Sequence, residues 1–219
     1  MNRVVLATRN AHKVRELREI LADVVDDLGL EVVGMDQFPH VADVVESGVT
    51  FVENATLKAV AAAEATGLPA VADDSGLAVD VLGGAPGVFS ARWSGRHGDD
   101  VANLELLLAQ IADVPDEHRA AAFVCAAVLA LPDGRTWARE GRMPGRVARA
   151  PRGSHGFGYD PVLEVDGDTR TAAELTPAEK NAISHRGLAF RALGPDLREA
   201  FGGREAGGRP PCPRASAET

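Results

Sequence analysis

The chain has 219 residues, of which 45% are hydrophobic, 25% are charged and only 5% are aromatic. This composition is typical of a globular protein with a large buried core. The formal net charge of −9 disfavours nucleic-acid polymers and anionic membranes as partners, because an acidic surface repels polyanions. The shortage of aromatic residues also disfavours a stacking platform for single strands.

The two cysteines and the apolar segments indicate the cellular location. Cys125 lies in an apolar run and is expected to be a buried small side chain, whereas Cys212 lies in a Pro/Gly-rich tail. Such a pair is not a disulfide framework and favours a reducing compartment. We find no signal-peptide pattern and no apolar run of membrane-spanning length. We therefore expect a cytoplasmic protein.

Hydrophobic patterning predicts strands and helices that alternate along the chain. The predicted strands are 4–8, 31–35, 69–74, 77–82, 120–132, 136–150 and 161–165. The predicted helices are a segment with Val14, Leu17, Leu21 and Val24 on one face, then 50–67, 101–112, 176–182 and 184–194. "PDGR" predicts a hairpin turn between the two long strands. This order predicts an α/β fold with an elongated mixed central sheet flanked by helices.

Helix boundaries and the carboxyl-terminal tail can also be predicted. Thr50 with Glu53 forms a capping box, and Thr176 with Glu179 forms another. Residues 202–219 contain almost nothing to bury and are expected to be disordered. Residues 1–201 then form a single domain.

The segment "TRNAHK", from Thr8 to Lys13, follows the first strand and opens the first helix. A strand-to-helix turn presents free backbone N–H groups and the positive end of the helix dipole, which suits a phosphate. Asn10 is the expected N-cap. Lys13 lies in the first helical turn, where a cation opposes the dipole. The alternative is an ordinary capped helix with an exposed lysine.

Two further clusters contain polar side chains that could carry chemistry. Asn54 and Lys58 share a face of the second helix, although Glu53 already serves its capping box and Lys58 could be solvated. Asp73 and Asp74 end a predicted strand, just before a turn through Ser75 and Gly76. Paired carboxylates with a serine suit Mg²⁺, and one of them could accept a proton from water. An Asx-type turn explains this pattern equally well.

The fourth cluster combines "GFGYD" with "K-x4-HR". Phe157 lies between glycines, where its ring could stack on a flat ligand. Lys180, His185 and Arg186 add hydrogen-bond donors at helix ends. The alternative is a hairpin corner followed by a capped helix. Together, the four clusters describe one ligand with phosphates, a bound metal and a base.

The motifs resemble one known family. "LATRNAHKVREL", "GVTFVENATLKA", "ADDSGLAVDVLGGAPGVFSARWSG", "GFGYDP" and "TAAELTPAEKNAISHRG" are similar, in that order, to the inosine triphosphate pyrophosphatase family. The resemblance runs from about Val4 to Leu193. It implies two lobes with a substrate cleft between them, a homodimer, and Mg²⁺-dependent hydrolysis of non-standard purine triphosphates (dITP, ITP, XTP) to monophosphate and pyrophosphate.

The resemblance also implies roles for individual residues. Asp74 is the expected proton acceptor, and Glu53 and Asp74 are the expected Mg²⁺ ligands, with Asp73 assisting. The expected substrate-binding residues are Thr8, Arg9, Asn10, Ala11, His12, Lys13, Ser75, Phe157, Gly158, Tyr159, Asp160, Lys180, His185 and Arg186. The chain departs from the family pattern at Arg9 and at His155, where the family often has glycine.

Two other functions remain as alternatives. The first is a nucleotide-sensing module that binds without turnover, against which the intact acidic residues argue. The second is a phosphatase of a different fold that uses the acidic pair alone and releases orthophosphate first. Pyrophosphate release from ITP distinguishes both from the leading hypothesis.

Overall fold

The structure is a computed structural model that describes residues 2–9 and 11–202. In these residues, six strands form one sheet: Asn2–Leu6 (β1), Leu30–Gly34 (β2), Ala70–Val79 (β3), Ala120–Ala130 (β4), Thr136–Val147 (β5) and Leu163–Val165 (β6). The helices are Ala11–Asp27 (α1), Phe51–Thr66 (α2), Asp100–Gln110 (α3), Pro177–Ile183 (α4) and His185–Gly202 (α5).

The sheet is mixed, as predicted, with the strand order β2-β1-β3-β4-β5-β6. β1 runs parallel to both β2 and β3, and the remaining neighbours are antiparallel. β4 and β5 pair along their length from Ala120–Arg146 to Ala130–Thr136. Gly134 in the connecting turn has a φ of 90°, a conformation that favours glycine and closes the predicted hairpin.

Three buried apolar clusters show where each helix packs on the sheet. α1 and α5 pack on one face of the sheet, and α2 packs on the other. In the third cluster, α3 packs against β6, the carboxyl ends of β3 and β5, and the amino end of β4. Cys125 is fully buried in the first cluster, as predicted. The division into two lobes stays a prediction. No helix in the described part of the chain is long and apolar enough to cross a membrane.

Both predicted capping boxes are confirmed. At the start of α2, Thr50 Oγ1 accepts a hydrogen bond from Glu53 N at 3.1 Å, and the Glu53 carboxylate accepts one from Thr50 N at 3.0 Å. α2 ends at Gly67, whose φ is 67°. These reciprocal bonds satisfy backbone donors that a helix start would otherwise leave unpaired.

The predicted turn at Ser75 and Gly76 is wrong. Residues 70–79 form one continuous strand, so both aspartates lie in its middle. Gly76 pairs with Val124 on β4, and a Cβ at Gly76 would overlap Ser90 and the backbone of Gly87. This glycine therefore permits the close approach of the 3₁₀ segment Gly87–Arg92, rather than a turn.

The ends of the chain differ from prediction in smaller ways. The first strand is Asn2–Leu6 instead of 4–8. α5 continues past Gly194 and through Pro195 as far as Gly202. Beyond Pro195, Leu197 and Phe201 are buried in the cluster beneath α5, and this burial offsets the hydrogen bond that proline removes. The predicted disordered tail, apart from Gly202, lies outside the described residues.

Candidate active site

A cavity of about 860 Å³ is lined by the middle of β3 together with loops from both sides of the sheet. Most of the predicted site residues meet there. The predicted residues that line it are Thr8, Arg9, Lys13, Asp74, Ser75, Phe157, Gly158, Tyr159, Asp160, Lys180, His185 and Arg186. Asn10, predicted as an N-cap, lies outside the described residues, as do the side chains of Ala11 and His12.

The two adjacent aspartates point to opposite faces of the sheet, because side chains alternate along a strand. Asp73 lies on the face that α1 and α5 cover, where its Oδ2 is 3.0 Å from Lys13 Nζ and 3.2 Å from Arg186 Nε. Asp74 lies on the α2 face. The chain can place two carboxylates side by side because each has different partners.

Asp73 is the counter-ion of two cations. Burial alone would raise the pKa of its carboxyl, but the charges of Lys13 and Arg186 outweigh burial and hold this pKa well below its ordinary value. Asp73 therefore stays ionised at neutral pH and is unsuited to proton transfer.

Three of the five N–H groups of Arg186 donate to protein acceptors. Its Nε donates to Asp73, its Nη1 to Glu16 at 2.6 Å and its Nη2 to Ser75 Oγ at 2.9 Å. Only 3% of its side chain is exposed. Burial would lower the pKa of the guanidinium, but Asp73 and Glu16 raise it. Arg186 thus joins α1, β3 and α5 beneath the cavity.

The negative charge of Asp74 is compensated by neighbouring cations less fully than the charge of Asp73 is. Its Oδ2 accepts from Asn54 Nδ2 at 3.1 Å, its Oδ1 accepts from Ser75 N at 3.0 Å, and Lys58 Nζ lies 3.6 Å away. Burial raises the pKa of the Asp74 carboxyl above its ordinary value, with Lys58 opposing. A carboxylate with a raised pKa is a better proton acceptor than an ordinary one.

Lys58 is shared between two acids and is not solvated. Its Nζ lies 2.7 Å from Glu46 Oε1, and its side chain is 16% exposed. Glu46 belongs to the irregular segment between β2 and α2 and lines the cavity. Two carboxylates of the cavity, those of Glu46 and Asp74, therefore lie around one ammonium group.

The structure does not bring Glu53 to this cavity. The Glu53 Oε2 atom accepts hydrogen bonds from Val49 N at 2.7 Å and from Thr50 N in the capping box. Glu53 lines a separate depression between the first turns of α2 and the segment that precedes it. The role expected for Glu53 in metal binding would require the helix start to rearrange.

Phe157 presents a partly exposed ring to the cavity, with 46% of the residue exposed. Lys180 Nζ lies 5.6 Å from the ring centroid, and the Arg186 guanidinium carbon lies 6.0 Å from it. Both cations lie at about cation–π distance from the ring, so the aromatic ring and two positive charges share one part of the cavity. Asp160 Oδ2 accepts from Phe157 N at 2.9 Å and from Lys180 Nζ at 2.6 Å.

His185 is a buried neutral group. Its ring stacks on Phe123 with centroids 5.0 Å apart, and burial lowers its pKa well below the ordinary value. Among the described residues, its Nδ1 atom has no hydrogen-bond partner. Since His185 lines the cavity, its imidazole is a polar group that a ligand could engage.

The lysines and arginines of the cavity differ in their partners. Arg9 bonds Asp43 at 2.8 Å and the carbonyl oxygens of Met35 and Val41. Lys13, Lys58, Lys180 and Arg186 also have acidic partners. Within residues 2–9 and 11–202, Arg92 is the lysine or arginine of this cavity that forms no ion pair. Its guanidinium lies over the Phe89 ring, at 5.4 Å.

Sequence reasoning missed several residues of the site. Glu46, Arg92 and Asp100 line the cavity, and Glu16 supports Arg186. Glu16 and Arg92 lie within two of the motifs that carry the family resemblance, but those motifs did not single them out, and Glu46 and Asp100 lie outside the motifs. The describable part of the chain contains no group of three or more His, Cys, Asp or Glu residues that could hold a metal ion. A metal here would need substrate or water as further ligands.

Comparison with known proteins identifies the family. The Ham1 family model matches residues 4–195. The chain is 67% identical over 202 residues to a dITP/XTP pyrophosphatase of Streptomyces coelicolor, covering 92% of this chain and all of the relative.

Similarity to solved structures supports the same family assignment. A HAM1 protein from Coxiella burnetii superposes with a TM-score of 0.83 at 44% identity, covering 91% of this chain and 100% of that chain. The nucleoside-triphosphatase, or dITP/XTP pyrophosphatase, of Mycobacterium abscessus gives a TM-score of 0.74 at 52% identity, covering 87% and 98%. The present chain belongs to the Ham1 family.

Proposed function

We propose that this chain hydrolyses dITP, ITP and XTP to the nucleoside monophosphate and pyrophosphate. The observation that carries the proposal is that one cavity combines the Phe157 ring, several cations and the Asp74 carboxylate with its raised pKa. A base, a triphosphate and an attacking water need these three kinds of group. The name of the Streptomyces coelicolor relative supports the same activity.

The triphosphate is the part of the substrate that the cations bind. Arg92 offers a planar guanidinium without an acidic partner in the described structure, and arginine matches phosphate oxygens with two parallel hydrogen bonds. Lys13 lies at the amino-terminal end of α1 and lines the same cavity as Thr8. Arg9 contributes indirectly, since its nitrogens already hold the segment that carries Glu46.

Asp74 is the proposed general base. Its carboxylate is mostly buried, its Oδ2 is held by Asn54, and its pKa is raised by burial. These features orient the group and, in the metal-free site, increase its affinity for a proton; a bound cation would lower that affinity. Asp73 cannot substitute, because Lys13 and Arg186 hold its pKa low.

The donor set fits a hard divalent cation. Glu46 and Asp74 are carboxylates on one wall of the cavity, and Mg²⁺ is commonly held by one or two carboxylates together with substrate phosphates and water. When bound, Mg²⁺ would offset phosphate charge and make a water ligand more acidic. We therefore propose Asp74 with Glu46 as its ligands, in place of Glu53. Lys58 would give up part of its contact with both acids.

Recognition of the base requires donors for a six-oxo purine. The neutral His185 ring and the Lys180 ammonium line the cavity near Phe157. Three of the five Arg186 N–H groups already have protein acceptors, so Arg186 holds Ser75 and Asp73 in place, and the second N–H on each of Nη1 and Nη2 is a candidate donor to the base. We also retain the homodimer and the cytoplasmic location as predictions.

Product analysis tests the proposal. The purified chain is incubated with dITP and Mg²⁺, and the products are separated by ion-exchange chromatography. We expect dIMP and pyrophosphate in equal amounts. Release of dIDP with orthophosphate would contradict the proposal, and tight dITP binding without turnover would favour the nucleotide-sensing alternative.

A further inference from the structure

The loop that carries Phe157 depends on contacts from outside itself. Gly153, Gly156 and Gly158 all have positive φ angles, of 82°, 79° and 60°. Glycine restricts the backbone less than any other residue, so three such positions within six residues give the loop little local rigidity. Within the loop, the Asp160 carboxylate accepts a hydrogen bond from Phe157 N, and further contacts that hold the ring in place come from neighbouring elements.

Most of the anchors come from the residues that follow β6. The amides of Ser154 and His155 donate to Ala173 O at 3.2 and 3.0 Å. The Nδ1 atom of His155 lies 3.0 Å from Leu175 O. Lys180 reaches the loop through Asp160. These contacts hold one side of the loop.

Asp100 holds the loop from the other side. Its Oδ2 accepts a hydrogen bond from Gly158 N at 2.9 Å, between residues 58 positions apart in the chain. Gly158 directly follows Phe157, so this bond fixes the peptide that determines where the ring points. Asp100 also lines the cavity.

Asp100 is not needed to cap its own helix. The N-cap of α3 is Asp99, whose Oδ1 accepts from Ala102 N at 3.2 Å. The carboxylate of Asp100 instead accepts a hydrogen bond from the loop that carries Phe157. A carboxylate that only stabilised the helix dipole would not need a hydrogen bond to the Gly158 amide.

We propose that Asp100 is a positioning residue for substrate, acting through the Gly158 amide to hold the Phe157 ring against the purine. The inference rests on the proposed function, because it takes the ligand of Phe157 to be a base. It assigns to α3 a part in base binding. The triphosphate portion of the substrate does not depend on it.

The test compares three variants in steady-state hydrolysis of dITP. Asp100→Ala removes the acceptor, and Asp100→Asn keeps an acceptor oxygen without the charge. Glu105→Ala removes the same charge from an exposed position of the same helix. A hydrogen bond of ordinary strength corresponds to about a threefold to tenfold increase in KM for Asp100→Ala, with kcat and the melting temperature nearly unchanged. Asp100→Asn should restore most of the affinity, and Glu105→Ala should match the wild type.

Inorganic tripolyphosphate provides the base-free probe. Its inhibition constant should be the same in the wild type and in Asp100→Ala, since it has no purine to stack. Equal weakening of dITP and tripolyphosphate would overturn the proposal, as would an unchanged KM in a folded Asp100→Ala variant. A KM in Asp100→Asn as high as in Asp100→Ala would also overturn it.

Hydrogen exchange separates this proposal from the proposed function. In the wild-type chain the Gly158 amide should exchange slowly, and Asp100→Asn should keep much of that protection. Rapid exchange in the wild type would overturn the role of Asp100 even if Asp100→Ala failed to fold. A chain that does not hydrolyse dITP but protects Gly158 would refute the proposed function and leave the anchoring contact standing.

Discussion

Arg186 and Asp73 form a buried ion pair, with Arg186 Nε 3.2 Å from Asp73 Oδ2 and side chains that are 3% and 1% exposed. Glu16 and Ser75 take the two remaining guanidinium nitrogens. This pair joins the start of α5 to the middle of β3, immediately below the cavity. A residue expected to read the base therefore also supports the fold.

Replacing Arg186 should destabilise the protein. Arg186→Ala leaves the carboxylates of Asp73 and Glu16 without this partner, and breaking a buried ion pair costs about 3–5 kcal/mol. Thermal denaturation measures the loss. Arg198→Ala on the same helix breaks an exposed pair with Asp27 and should cost less than about 1 kcal/mol. Equal melting temperatures for the two variants would contradict the assignment.

Asp74→Asn should nearly abolish turnover while the fold survives. Loss of a general base typically lowers the rate by about 10²–10⁴-fold, and the amide retains the shape of the side chain. Because burial already disfavours the Asp74 carboxylate, stability should be maintained or should increase. The matched control is Asp80→Asn, at an exposed position just beyond the end of β3. Activity of Asp74→Asn within about threefold of the wild type would place the base elsewhere.

Arg92→Ala should weaken the binding of triphosphate without affecting the fold. Hydrogen bonds to charged groups contribute about 1.5–3 kcal/mol, so KM should rise about tenfold or more, and pyrophosphate should inhibit less well. Arg96→Ala removes the same charge from an exposed side chain nearby and serves as the control. If both variants bind pyrophosphate as the wild type does, Arg92 does not contact the phosphates.

The prediction from sequence succeeded where signals were local. The capping boxes at Thr50 and Thr176 and the hairpin at Gly134 each depend on a few neighbouring residues. Membership of the cavity was predicted for Lys13, Phe157 and Lys180, because these residues belong to recognisable motifs.

It failed where the partner is distant in the chain. The residues around Gly76 predict a turn, because the close approach of Ser90 cannot be seen from the local sequence. As a result, the opposite directions of Asp73 and Asp74 were missed. Glu46 and Arg92 reach the cavity from an irregular segment and a 3₁₀ segment, whose paths no periodicity predicts.

Stability should fall with acidification through His185. Burial lowers its pKa in the folded state below the ordinary value of about 6.5, so below that pH the unfolded chain binds the proton more readily. Its contribution to stability is intact above about pH 6.5 and is lost as the pH falls, with a slope of up to about 1.4 kcal/mol per pH unit.

Urea denaturation between pH 7.5 and 5.5 measures this slope. His185→Gln should reduce the slope, whereas His97→Gln, at an exposed position, should retain it. An unchanged slope in His185→Gln would show that other groups govern the acid response.

The most direct test of the account is pyrophosphate release from a panel of purine triphosphates with Mg²⁺, with Asp74→Asn as the blank for contaminating activity. Six-oxo purines accept hydrogen bonds from the cavity donors, whereas the six-amino group of adenine leaves those donors unpaired. Each unpaired buried donor costs about 1–3 kcal/mol, so two or three mismatches give discrimination of about a hundredfold or more. Guanine shares the six-oxo group, so its rejection must come from its two-amino group, through a site that lacks an acceptor or room there. The account predicts dITP, ITP and XTP well above GTP, and ATP as a poor substrate. Equal efficiency with ATP and ITP would contradict it.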